Sequence, residues 1–206
     1  MTALTLGPSP AHRAVLVRRV RLLVAATITY NVIEAIVALI AGTRASSTAL
    51  VGFGLDSVIE VASAAAVAWQ FSGADPEARE RTALKVIALS FFALAAYVGV
   101  ESVRALTGTD PARHSTAGIA LAAASLLVMP VLSYLQRRTG RELGSASAVA
   151  DSRQTLLCTY LSGVLLLGLA LNSLLGWSWA DPFAALVIAG AAVHEGRKAW
   201  QGKNCC

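Results

Sequence analysis

Asp56 and Glu60 stand four residues apart inside a long apolar run, a spacing that puts both carboxylates on one helical face, one turn apart. Like charges at that separation repel, and one carboxyl is driven toward its neutral form unless a cation lies between them. Hard carboxylate oxygens are what a divalent metal accepts. A second apolar run carries Asp151, Gln154 and Cys158 at spacings of three and four, again a single face. Gln154 offers a carbonyl oxygen, and Cys158 offers a sulfur that becomes a strong ligand once a metal displaces its proton. A charge at mid-bilayer costs about 2.5 to 3.5 kcal/mol, so acids there need a partner or a task. Two plainer readings compete: the acids pair with Arg153 and only fix helix packing, and Cys158 is a small buried hydrophobe.

The elements that position these groups follow from composition. Of 206 residues, 56% are hydrophobic and 14% charged, too few charges to coat a soluble globule of this size. A spanning helix needs about 20 apolar residues. Six such runs are visible: Leu22 to Gly42, Ser47 to Phe71, Thr82 to Leu106, Ser115 to Leu135, Ser145 to Leu175 and Asp181 to His194. The expected class is all-α, a polytopic membrane protein with six transmembrane helices. Residues 1–21 read as a cytoplasmic N-terminal segment, 22–196 as the transmembrane domain and 197–206 as a short cytoplasmic tail.

Between the runs, Ser72 to Arg81 has the composition of an exposed loop, and Thr107-Gly108-Thr109-Asp110-Pro111 has turn chemistry throughout. The most polar stretch, Gln136 to Glu142, separates the fourth and fifth spans. Trp177 and Trp179 suit a headgroup-level anchor, and Pro182 suits the first turn of a helix.

Net charge is +5, from seventeen Lys and Arg against twelve Asp and Glu. Thirteen of the basic residues fall on one side of the six runs: Arg13, Arg18, Arg19, Arg21, Arg79, Arg81, Lys85, Arg137, Arg138, Arg141, Arg197, Lys198 and Lys203. Cationic loops resist translocation, so both termini are expected in the cytoplasm and the lipid bilayer is the main partner. No aromatic-rich basic patch points to nucleic acid. The first run is too long for a signal-peptide core and lacks a clear cleavage site, so it reads as a retained span. Cys158, Cys205 and Cys206 form no disulfide framework.

On these residues the chain resembles the cation diffusion facilitator family of divalent metal transporters. Ser47 precedes Asp56-Ser57-Val58-Ile59-Glu60, and Ser145 precedes Gln154-Thr155-Leu156-Leu157-Cys158, nine residues separating each serine from the first ligand position. The two segments look like a diverged internal repeat. Trp179-Ala180-Asp181-Pro182 looks like the W-x-D-P motif opening the family's sixth span. The resemblance implies a four-ligand metal site shared by spans two and five, here Asp56 and Glu60 with Gln154, Cys158 and, one turn before Gln154, Asp151. Family members commonly carry His or Asp at both positions of the fifth-span pair. Gln154 and Cys158 make this site softer and less charged. The family's cytoplasmic metal-binding domain is not expected here, which leaves transmembrane helices as the surface for any homodimer.

The expected function is efflux of a divalent transition metal, Zn²⁺ first and Cd²⁺ or Co²⁺ as neighbours, exchanged against protons. No prosthetic group is expected, because the metal is cargo. Rival readings are a membrane protein that binds or senses metal without moving it, an intramembrane acid–base enzyme, and a purely structural bundle. The enzyme finds no support in a nucleophile with an adjacent base or in an H-E-x-x-H motif. Among minor features, Asn31 and Glu34 could face the site, or Glu34 could neutralise Arg153. Glu101 and Arg104 are spaced for a local ion pair. His194 with Glu195, and Cys205 with Cys206, read as a solvated helix end and a tail, and Asp75, Glu77 and Glu80 as a solvated loop.

Overall fold

The computed structural model describes residues 10–73, 76–107, 113–177 and 179–201. Six helices carry all the regular structure among them: α1 (Pro10–Ala45), α2 (Thr48–Gln70), α3 (Pro76–Thr107), α4 (Thr116–Leu143), α5 (Ala146–Leu175) and α6 (Ala180–Trp200). Five are long and apolar enough to cross a bilayer by themselves. The sixth has Asp181 near its start and His194, Glu195, Arg197 and Lys198 near its end, and it packs against α3.

Several helices outrun their apolar segments. The loop expected from Ser72 to Arg81 is corrected, because α3 already begins at Pro76. Proline has no N–H to lose at a first helical position, and the Glu, Ala and Arg that follow are good helix formers. The polar stretch Gln136 to Glu142 likewise continues α4, which stops at Gly144, held in the left-handed conformation (φ 71°) that a side chain disfavours. At the other end of the chain α1 starts at Pro10, so the arginines before Leu22 ride on a helix. Trp177 and Trp179 stack with ring centroids 5.3 Å apart, half-exposed beyond α5. Residues 108–112 of the expected turn, Asp75 and the terminal cysteines lie outside the described residues.

Side-chain pairs fix the helix directions. Gln70 meets Ser147, Ser63 meets Asp151 and Glu60 meets Thr155, so numbers fall on α5 as they rise on α2: the two central helices are antiparallel. The starts of α2 and α5 therefore lie at opposite ends of the bundle. At one end α2 finishes beside α1, where Arg21 donates to the Phe71 carbonyl at 3.1 Å. At the other, the Arg113 amide donates to the Ala45 carbonyl at 2.7 Å.

The internal repeat extends well past the ligand spacing. Ser47 and Ser145 are the N-caps of α2 and α5, accepting from the amides of Leu50 and Ala148 respectively. The amide of Ser47 donates to the Gly42 carbonyl and that of Ser145 to the Gly140 carbonyl, both at 3.0 Å. Each glycine sits where a Cβ would press on the next helix: Val51 at 2.8 Å from one, Ala148 and Val149 at 3.1 Å from the other. Residue 46 in one turn and residue 144 in the other both take positive φ, Ser46 at 52°. The hairpins α1–α2 and α4–α5 thus repeat one helix-turn-helix plan in inverted orientation, an arrangement common among membrane transporters.

The surface is turned inside out relative to a soluble protein. Leu22, Ile33, Leu127, Leu167 and Leu174 are more than half exposed, whereas Asn31, Glu34, Asp56, Glu60, Gln154 and Thr155 are buried. Such an apolar exterior would be a large aggregation-prone patch in water and is ordinary in lipid. Glu101 and Arg104 form the expected pair at 2.6 Å.

One cross-bundle clamp brings α6 against the start of α2. Asp181 accepts from the Ser47 hydroxyl at 2.5 Å and the Ala49 amide at 3.0 Å, so it supplies a carboxylate to the N-terminus of α2 while fixing α6 against it. Asp181→Ala is expected to lower stability by about 1 to 3 kcal/mol. Thermal unfolding of the purified protein reads this, and Asp181→Asn should recover part of the loss, because its amide oxygen still accepts. An unchanged melting temperature in the alanine variant would remove the clamp from the fold's supports.

Candidate metal site

Nine residues down from its cap, α2 presents Asp56, and one turn further Glu60. At 1.5 Å per residue this is about 13 and 19 Å from the start of the helix, close to the middle of a hydrocarbon layer about 30 Å thick. From the opposite end α5 runs the same nine residues to Gln154 and one turn further to Cys158. In antiparallel register Asp56 is level with Cys158, and Glu60 with Gln154.

A carboxylate oxygen from each of Asp56 and Glu60 and the Cys158 sulfur lie within 4.8 Å of one another, all three residues fully buried. In a tetrahedral shell with Zn–O near 2.0 Å and Zn–S near 2.3 Å, ligand atoms stand about 3.3 to 3.5 Å apart. Side-chain movement of about an ångström would close the trio on such an ion.

Hydrogen bonding isolates the same point. Both Asp56 carboxylate oxygens, Glu60 Oε2 and both polar atoms of the Gln154 amide are buried without a partner. They are five of eight such side-chain atoms among the described residues, so the unmet polarity of the interior is concentrated where α2 faces α5. An unpartnered buried polar atom costs about 1 to 3 kcal/mol, which a bound cation or water would relieve.

The remaining acids are already engaged. Glu34, on α1, accepts from Ser57 at 2.8 Å, from Ser125 and from the Cys158 thiol at 3.8 Å. It therefore stands behind Cys158, orienting the thiol, and its oxygens are occupied by neighbours other than Arg153. Asp151 shares the inward face of α5 but lies outside the trio; its oxygens accept from Ser63 at 2.8 Å and from the Gln136 amide at 3.2 Å. Gln136 also donates to Thr27 on α1 at 3.0 Å. Arg153 lies on another face of α5, where it lines a cleft with Arg137, Glu195 and Lys198. With both Asp56 oxygens unbonded, the reading in which Arg153 neutralises Asp56 fails.

Ser57, Ser63, Ser125, Gln136 and Thr155 belong to the site's surroundings and have no role assigned to them from the sequence. Ser63 carried a signal, since it lies seven residues from Asp56 and hence on the same face. The others are visible only once helices are paired.

The two sides of the trio differ in polarity. Toward the end where α2 finishes lie Ser63, Asp151, Gln136 and Thr27, a bonded polar file. Toward the end where α2 begins, the interior is filled by Leu50, Phe53, Ala122, Leu161 and Leu165, each 1% exposed or less.

Comparison with known proteins agrees with this architecture. Residues 24–198 match the cation efflux transmembrane domain. An uncharacterized transporter from Synechocystis is 29% identical over 150 residues, covering 68% of this chain and 48% of the relative, so the chain spans about half the length of the curated relative it matches. A match that runs through all six helices makes the chain a member of the cation efflux family.

Proposed function

We propose that the protein moves a divalent transition metal of the Zn²⁺ class across the membrane, with protons travelling the other way. Asp56, Glu60 and Cys158 are the principal ligands, Gln154 adds an amide oxygen, and Glu34 orients the Cys158 thiol. The observation that carries the reading is the meeting of two carboxylates and a thiol from antiparallel helices at mid-bilayer, ringed by polar atoms that nothing else satisfies. Two hard oxygens and one soft sulfur suit a borderline ion such as Zn²⁺, Cd²⁺ or Co²⁺.

Asp151 belongs to the polar file through which an ion reaches the trio from the cytoplasmic side, the side assigned by the basic residues at that end. The apolar packing from Leu50 to Leu165 closes the far side in this conformation. Alternating access then requires the halves to rock so that the file closes and the packing opens. Protons couple to this because metal and proton compete for the same carboxylate and thiol atoms. Metal loading releases protons, and an acidic exterior drives release of metal.

Asp56→Ala is expected to abolish metal flux in reconstituted vesicles while the protein stays inserted and monodisperse. Flux at the wild-type level in that variant would end the assignment, and saturable binding without flux in the wild type would instead indicate a sensor or buffer. The sign of the pH effect follows from the competition: affinity for Zn²⁺, measured by calorimetry on the purified protein, should fall as pH is lowered and carboxylates and thiol take up protons. A flat affinity between mildly acid and mildly alkaline conditions would exclude these ligands. Cys158→Asp, which replaces sulfur by oxygen, should shift the Cd²⁺ to Zn²⁺ preference toward Zn²⁺. Identical selectivity ratios would take Cys158 out of the ligand set.

A further inference from the structure

Two of the buried polar atoms without partners are side-chain amide oxygens that lie outside the trio and its Gln154 neighbour, Asn31 Oδ1 on α1 and Gln136 Oε1 on α4. Both amides are oriented by what their nitrogens meet. Asn31 Nδ2 donates to the Thr27 carbonyl at 3.0 Å, and Gln136 Nε2 donates to the Thr27 hydroxyl at 3.0 Å and to Asp151 Oδ2 at 3.2 Å. A carbonyl and a carboxylate can face only the nitrogen of an amide, so neither group can turn over and the oxygen is the bare end of each.

These oxygens gather at one place. Thr27 holds both amides, and Gln136 brings in Asp151, whose other oxygen accepts from Ser63 at 2.8 Å. Asp151 thus receives two neutral donors, while a carboxylate has about four lone-pair sites, so roughly half of its accepting capacity is unused. Thr27, Asn31 and Ser63 are fully buried, and Gln136 and Asp151 nearly so. Bare acceptors grouped around a buried acid call for an occupant that is positively charged. The group offers a carboxylate, two amide oxygens and two hydroxyls, a set of hard oxygens that suits a divalent cation keeping part of its water. Its depth is fixed by α5: Asp151 precedes by one turn Thr155, whose hydroxyl meets Glu60 Oε1 at 2.5 Å, so about 6 Å separates the group from Glu60 on the cytoplasmic side.

We infer that Asn31, Gln136 and Asp151, with the hydroxyls of Thr27 and Ser63, form a second cation station, where an incoming divalent ion rests partly hydrated before it moves on to Glu60. Its place on the transport route rests on the function proposed above. Two dications about 6 Å apart repel strongly, so the station and the trio fill in turn. Dehydration is then divided, with oxygens replacing some waters at the station and the carboxylates and Cys158 replacing the rest.

The probe is Mn²⁺, a hard ion whose binding is read by electron paramagnetic resonance. The trio is first disabled by Asp56→Asn/Cys158→Ser, and this full-length variant in detergent should still bind one Mn²⁺. Adding Asn31→Ala or Gln136→Leu should weaken that binding by about tenfold or more. Absence of Mn²⁺ binding in the trio variant overturns the station. So does binding that Asn31→Ala and Gln136→Leu leave unchanged, the mark of an adventitious ion only. If Gln136→Leu is not monodisperse, Asn31→Ala decides alone, because the bonds of Gln136 and Asp151 do not involve the Asn31 side chain. Failure of the trio looks different: Cd²⁺, which favours the thiol, would bind wild type and trio variant alike, while Mn²⁺ binding that still answers to Asn31 and Gln136 would support the station.

Discussion

Lipid cannot solvate a carboxylate, and the way this bundle meets that constraint organises everything around it. Glu34 and Asp151 are met by hydroxyl and amide donors from neighbouring helices, so each ties two or three helices together. Asp181 is met by the start of α2. Asp56 and half of the Glu60 carboxylate are left unmet, beside a thiol and an unpartnered amide. The satisfied acids act as helix fasteners, and the unsatisfied ones stand where we propose that a cation binds. The same residue types serve both purposes, and only their neighbours separate them.

Inverted repetition explains why that place lies at mid-bilayer. Each central helix begins at a serine cap on its own side of the membrane and reaches its proposed ligand position nine residues later, so two caps at opposite surfaces set one depth from both directions. The tight glycine approaches at residues 42 and 140 hold the flanking helices in equivalent positions, which keeps the two halves in register.

Much of this was legible in the sequence because helical spacing is a local property. The shared face of Asp56 and Glu60, the face of Asp151, Gln154 and Cys158, the serine spacing and the six apolar runs all follow from periods of three and four. What could not be read locally was which faces meet. Glu34 had two plausible neighbours in the sequence, and only the packing of α1 against α2 and α4 gives it Ser57 and Ser125. Asp151 shares a face with Gln154, yet a helix face two turns long spans more depth than one ion, and Ser63 and Gln136 occupy it. Helix ends were misjudged for another reason: hydropathy marks contact with lipid, whereas the helices at Pro76, Gln136 and Pro10 continue through polar residues of good helix propensity.

The contrast between the bonded file on one side of the trio and the hydrocarbon packing on the other also bears on leakage. A proton hops only along donors and acceptors, and the side chains of Leu50, Phe53, Leu161 and Leu165, buried on the far side of the trio, supply none. Hydrocarbon at that point slows the passage of H⁺ through an idle molecule.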